Sequence, residues 1–88
     1  MKAVSLIVHG RVQGVFYRDW TVRKARALGL SGWVGNRTDG TVSAFLQGSE
    51  SAVAQMLEQM REGPPTARVE RIDVIDAETE DLTSFTRR

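Results

Sequence analysis

The stretch from Ser49 to Pro65 restricts the fold more than any other. Val53, Met56, Leu57 and Met60 recur at i, i+3, i+4 and i+7, so they line one side of a helix. Ser49 is a good N-cap, Glu50 places an acid in the first turn, and Gly63-Pro64-Pro65 ends the helix. A helix with one dry face must bury that face on a second layer. A chain of 88 residues without cysteine has to build that layer from its own strands, with no disulfide or thiolate-bound metal to staple it. We expect one domain spanning residues 1–88.

The strands are legible on either side. Residues 3–9 alternate, with Val4, Leu6 and Val8 on one face and Ser5, Ile7 and His9 on the other. A first helix runs from about Tyr17 to Leu28, with Thr21, Val22, Ala25 and Leu28 as its stripe and Gly29 as its stop. Residues 30–36 form a second strand around Trp33 and Val34. Asp39-Gly40 marks a tight turn, and Thr41–Gln47 alternates as a third strand. A fourth spans about Ala67 to Ile75. Its apolar parity slips between Val69 and Ile72, which a bulge near Glu70 or Arg71 repairs. Leu82 and Phe85 in the polar tail are anchors for a short edge strand. The order strand, helix, strand, strand, helix, strand predicts an α+β fold. It is a ferredoxin-like βαββαβ sandwich, with an antiparallel sheet and two helices on one face.

Composition narrows the chemistry. The net charge of +1 gives no global attraction to nucleic acid or an anionic membrane. The absence of cysteine removes thiolate catalysis and cysteine-bound metal clusters. The apolar run Ala3–Val8 is too short for a signal-peptide core, and nothing approaches a membrane-spanning length. We read the protein as cytoplasmic.

The segment Gly10-Arg11-Val12-Gln13-Gly14-Val15-Phe16-Tyr17-Arg18 joins a strand to a helix. Glycines at 10 and 14 permit a turn that gathers consecutive N–H groups into an anion nest, and the helix adds its positive end. Arg18 can return to the loop and grip two phosphate oxygens. The Gly-Lys-Ser/Thr ending of a Walker loop is missing, and the glycine spacing is wrong for a dinucleotide fingerprint. Pattern alone leaves two readings open. One is an anion cradle. The other is an ordinary turn with a solvated arginine whose counter-ion is Asp19.

The same segment resembles the first signature of the acylphosphatase family, Gly-x-Val-Gln-Gly-Val-x-aromatic-Arg. Gly29-Leu30-Ser31-Gly32-Trp33-Val34-Gly35-Asn36, then Asp39-Gly40-Thr41-Val42 and Gln47-Gly48, resemble the second. Gly63-Pro64-Pro65 with Ala67-Arg68-Val69 resembles the family's entry to the fourth strand. The likeness extends from residue 4 to about residue 75 and implies the ferredoxin-like fold. It implies an enzyme that hydrolyses a small acyl phosphate to a carboxylate and inorganic phosphate, with no metal and no cofactor. It implies that Arg18 binds the phosphate together with the backbone amides of Gln13, Gly14, Val15, Phe16 and Tyr17, and that Asn36 positions the attacking water. The expected partner is that small molecule, with no nucleic acid and no membrane, acting on a monomer. Two departures stand out. Gly35 replaces the long or basic side chain usual beside the asparagine, and the ending Ser84-Phe85-Thr86-Arg87-Arg88 lacks the aromatic finish of relatives.

The remaining chemistry-bearing residues read more plainly. No carboxylate is placed by spacing to orient His9, so it reads as structural or solvent-facing. Trp33 reads as packing, and Met56 and Met60 as core. The acidic run Asp73, Asp76, Glu78, Glu80 and Asp81 reads as a solvated strand end rather than a cation site. Arg11 helps attract anions at most. Two other functions share this fold and loop. A binding module would hold phosphate without turnover. An RNA-binding sheet would need paired aromatics, for which only Phe45 has a pattern of exposure.

Overall fold

The computed structural model describes residues 1–88. Seven elements follow in order: β1 (Lys2–Arg11), α1 (Tyr17–Ala27), β2 (Ser31–Asn36), β3 (Val42–Gly48), α2 (Glu50–Glu62), β4 (Arg68–Ala77) and β5 (Phe85–Arg87). They form one sheet in the order β4-β1-β3-β2-β5. The predicted order of strands and helices is present, extended by the short fifth strand.

One face of the sheet carries the core. Val4, Leu6 and Val8 of β1 stand beside Leu46, Ala44 and Val42 of β3, and Val34 of β2 continues the layer. Val22 and Ala25 of α1 and Val53, Met56 and Met60 of α2 close over them in one buried cluster. Both helices therefore lie on the same face. Leu28 and Leu57, also predicted for the stripes, are partly buried at the margin of that cluster. Ser49 caps α2 as its sequence requires, its hydroxyl accepting from the Ala52 N–H at 3.1 Å.

The parity slip in β4 is a bulge. Pairing with β1 runs His9↔Arg71 and then Gly10↔Val69, which leaves Glu70 as the extra residue. Gly10 adopts φ 130° there, and a side chain on it would collide with the Arg68 carbonyl oxygen. This bulge sits where β1 gives way to the loop that follows.

The sheet is mixed, which corrects the expectation of a purely antiparallel one. β5 pairs with β2 in parallel, Gly32↔Phe85 through Val34↔Arg87. The chain leaves β4 at one edge and re-enters the sheet at the other. Glu80 is fastened on the way: its N–H donates to Gln47 Oε1 and its carbonyl accepts from Gln47 Nε2. β4, β1, β3 and β2 alternate in direction, so β2 runs opposite to β4, and β5, which turns back from β4, runs with β2. Phe85 anchors β5 with a side chain 1% exposed. Phe45 is a second correction. It lies on the face away from the helices, between Ser5 and Trp33, but is buried rather than presented to a ligand. No helix is long and apolar enough to cross a membrane.

Candidate active site

β1 ends in a loop, residues 12–16, that leads directly into α1. Two residues of this loop adopt left-handed backbone: Gly14 at φ 72° and Phe16 at φ 64°, ψ 21°. For glycine this conformation is free. For phenylalanine it costs about 1–2 kcal/mol, because Cβ crowds the following carbonyl. Phe16 is also the N-cap of α1 and has no side-chain acceptor to offer. The first N–H groups of α1 therefore lack the side-chain cap that Ser49 gives α2, and they point toward the loop with the positive end of the helix dipole.

The loop is fastened on two sides. Thr66 donates its hydroxyl to the Val15 carbonyl at 2.8 Å. The Gln13 amide reaches away from the loop and donates to two carbonyls, Arg37 at 2.7 Å and Thr41 at 2.8 Å. Those carbonyls flank the turn that follows Asn36. Within that turn Asp39 Oδ1 accepts from both the N–H and the hydroxyl of Thr41, which hold its carboxyl below the usual aspartate range. The two sequence signatures are thus tied together by one side chain.

Between them is a cleft of about 240 Å³ lined by Val12, Gly14, Phe16, Tyr17, Arg18, Asp19, Asn36 and Arg87. Arg18 and Asn36, 18 residues apart in sequence, share it. Of the five residues expected to offer amides, Gly14, Phe16 and Tyr17 line the cleft. Gln13 and Val15 do not line it; the Gln13 side chain and the Val15 carbonyl hold the loop in place as described above.

Asp19 is not the counter-ion of Arg18. It accepts from Arg87 at 2.9 Å, and Arg18 instead donates Nη1 to the main-chain oxygen of Arg88 at 2.9 Å. Arg18 therefore faces the cleft with no aspartate or glutamate side chain paired to it. Arg87 was not among the expected site residues. It belongs to the short fifth strand, and only the parallel pairing of β5 with β2 brings it to this cleft. Gly35 also finds an explanation: a Cβ there would stand 3.2 Å from the Arg88 Cβ. Arg88 occupies the room that the missing side chain leaves, and its guanidinium lies 4.2 Å from the Trp33 ring centroid.

The acylphosphatase family model matches residues 4–87, almost the whole chain. The chain belongs to the acylphosphatase family. An acylphosphatase of Rhodospirillum rubrum is 48% identical over 88 residues, covering 100% of this chain and 97% of the relative. The crystal structure of an acylphosphatase from Bacillus subtilis superposes with a TM-score of 0.97 at 35% identity, covering 100% of this chain and 99% of that one. An acylphosphatase from Coxiella burnetii gives 0.95 at 34% identity, with 99% and 92% covered. The protein is an enzyme that hydrolyses acyl phosphates.

The other titratable residues lie elsewhere. His9 has a carboxylate partner after all: its Nε2 is 2.8 Å from Asp73 Oδ2, brought across from β4 by the strand pairing. That hydrogen bond and the one from Arg71 hold the Asp73 carboxyl below its ordinary range. Lys2 holds Asp76 at 2.9 Å. Two members of the acidic run are thus ion-paired side chains on the sheet.

Proposed function

We propose that the reaction takes place in the cleft between the 12–16 loop and Asn36, with Arg18 as the phosphate-binding cation. The observation that carries this reading is the shared cleft, in which Arg18 is paired with no aspartate or glutamate side chain. The phosphoryl group sits against the loop and helix amides, drawn from residues 13–17, while the Arg18 fork takes two of its oxygens. Asn36 holds the attacking water through its carboxamide, which can both accept and donate.

The step needs little else. Water oxygen forms a bond to phosphorus as the bond from phosphorus to the acyl oxygen breaks. The leaving group is a carboxylate, weakly basic, and departs without a general acid. A phosphoryl oxygen takes the water proton, so no protein base is required. Catalysis is then positioning and charge stabilisation in a preorganised site.

Steady-state kinetics on an acyl phosphate test the assignment. Arg18→Ala lowers kcat/KM by at least about a hundredfold, the scale of losing a preorganised oxyanion donor. Asn36→Ala lowers kcat more than it weakens inhibition by inorganic phosphate. A folded Arg18→Ala enzyme with near-full activity overturns the role of Arg18. An Asn36→Ala enzyme with unchanged kcat and weakened phosphate inhibition makes Asn36 a ligand contact instead.

A further inference from the structure

The phosphoryl end of a substrate accounts for the loop, Arg18 and Asn36. The acyl end has no assigned contact. Phe16 stands out against that background. Its side chain is 77% exposed, yet it lines the cleft. The other apolar lining residues, Val12 and Tyr17, are each 1% exposed and offer no surface to a ligand. Arg18, Asp19, Asn36 and Arg87 present polar groups, and Gly14 presents no side chain. Phe16 is therefore the one lining residue with apolar surface available at the mouth.

The fold does not call for this ring. Phe16 holds a left-handed backbone that glycine or asparagine adopts more readily, and the backbone, not the ring, serves the nest. The ring repays nothing by burial, because it lies outside the core cluster. It supplies no cap to α1. A large apolar side chain in a costly conformation, facing water beside the reacting groups, is accounted for by a ligand that covers it.

We propose that Phe16 is a specificity-determining residue that packs against the acyl half of the substrate, and that the preferred substrates are acyl phosphates with an aromatic or branched apolar acyl group. With the phosphoryl group in the loop, the acyl group is the part left at the mouth, where the ring is. This rests on the placement of phosphate at the loop and Arg18 described above.

The test compares benzoyl phosphate with acetyl phosphate, which differ in apolar surface and share the reacting atoms. The readout is the ratio of their kcat/KM values, in which any loss common to both substrates cancels. Phe16→Asn removes the ring while suiting the left-handed backbone, so folding is not at risk from strain. The ratio falls by about five- to tenfold in Phe16→Asn, the scale of one aromatic contact. Phe16→Leu, which keeps an apolar side chain, falls less. Equal losses on both substrates, leaving the ratio of wild type, overturn the proposal. A fall in Phe16→Leu as large as in Phe16→Asn also overturns it, since apolar contact is then not what the ring provides. Full activity of Arg18→Ala would instead sink the placement of phosphate, whatever the Phe16 ratio does.

Discussion

Tyr17 serves two helices at once. It opens α1 at the phosphate loop, and its hydroxyl donates to the Met60 carbonyl of α2 at 2.8 Å. That carbonyl needs an outside partner. The residue four positions on is Pro64, which has no N–H to complete the helical bond. The side chain is 1% exposed, and burial pushes the phenol pKa well above its ordinary value, so it remains a neutral donor at any working pH. Tyr17→Phe leaves the carbonyl unsatisfied in the interior. We expect a loss of about 1–2 kcal/mol, read as a lower urea midpoint at constant m-value. The aromatic at position 17 was legible as part of a signature. Its partner was not, because the bond spans 43 residues.

Among the elements, the two loops that make the site behave as one unit through Gln13. Its carboxamide donates to carbonyls on both sides of the 37–41 turn, while its own backbone belongs to the phosphate loop. Removing it uncouples the cation side from the Asn36 side. Gln13→Ala lowers kcat by about ten- to a hundredfold, the cost of misplacing reacting groups by a fraction of an ångström to an ångström. Its unfolding midpoint moves little by comparison. An unchanged kcat would show that the turn holds Asn36 without help. Helices and turns were the legible part at this scale. Ser49, the 53/56/57/60 stripe and Gly63 mark α2 by local chemistry, and Asp39-Gly40 marks its turn. β5 was barely legible. A strand of three residues has too short a pattern to show alternation, and it exists by pairing with β2 across the chain.

Across the whole molecule, carboxylates held by donors on neighbouring strands and in one turn contribute to the acid limb of stability. Asp73, bonded to His9 and Arg71, and Asp39, bonded to Thr41, both have carboxyls below their ordinary value of 3.8. A depressed folded pKa adds stability that is fully present above the unfolded value and is lost as pH falls through the folded one. Thermal unfolding followed from neutral pH downward therefore shows Tm falling below about pH 4. Asp73→Asn and Asp39→Asn each flatten that acid limb, with little change in its shape above pH 5. Both groups are solvent-facing, so each contribution is modest. An acid limb identical in both variants and wild type would assign it to other carboxylates.

Periodicity, capping and turn chemistry act over a few residues, and they suffice to place both helices, four strands, the β4 bulge and the glycine-spaced loop. The two signatures, also local, name Arg18 and Asn36 as a pair. Their meeting in one cleft, the carboxylate beside His9, the exchange that gives Asp19 to Arg87 and Arg18 to the main-chain oxygen of Arg88, and the filling of the Gly35 gap by Arg88 are tertiary facts. All depend on which strands lie side by side, and the contacts of Arg87 and Arg88 depend also on the connection that carries the chain from one edge of the sheet to the other. Contacts of that kind join residues tens of positions apart, and no local pattern encodes which of several available charges will be nearest once the sheet has closed.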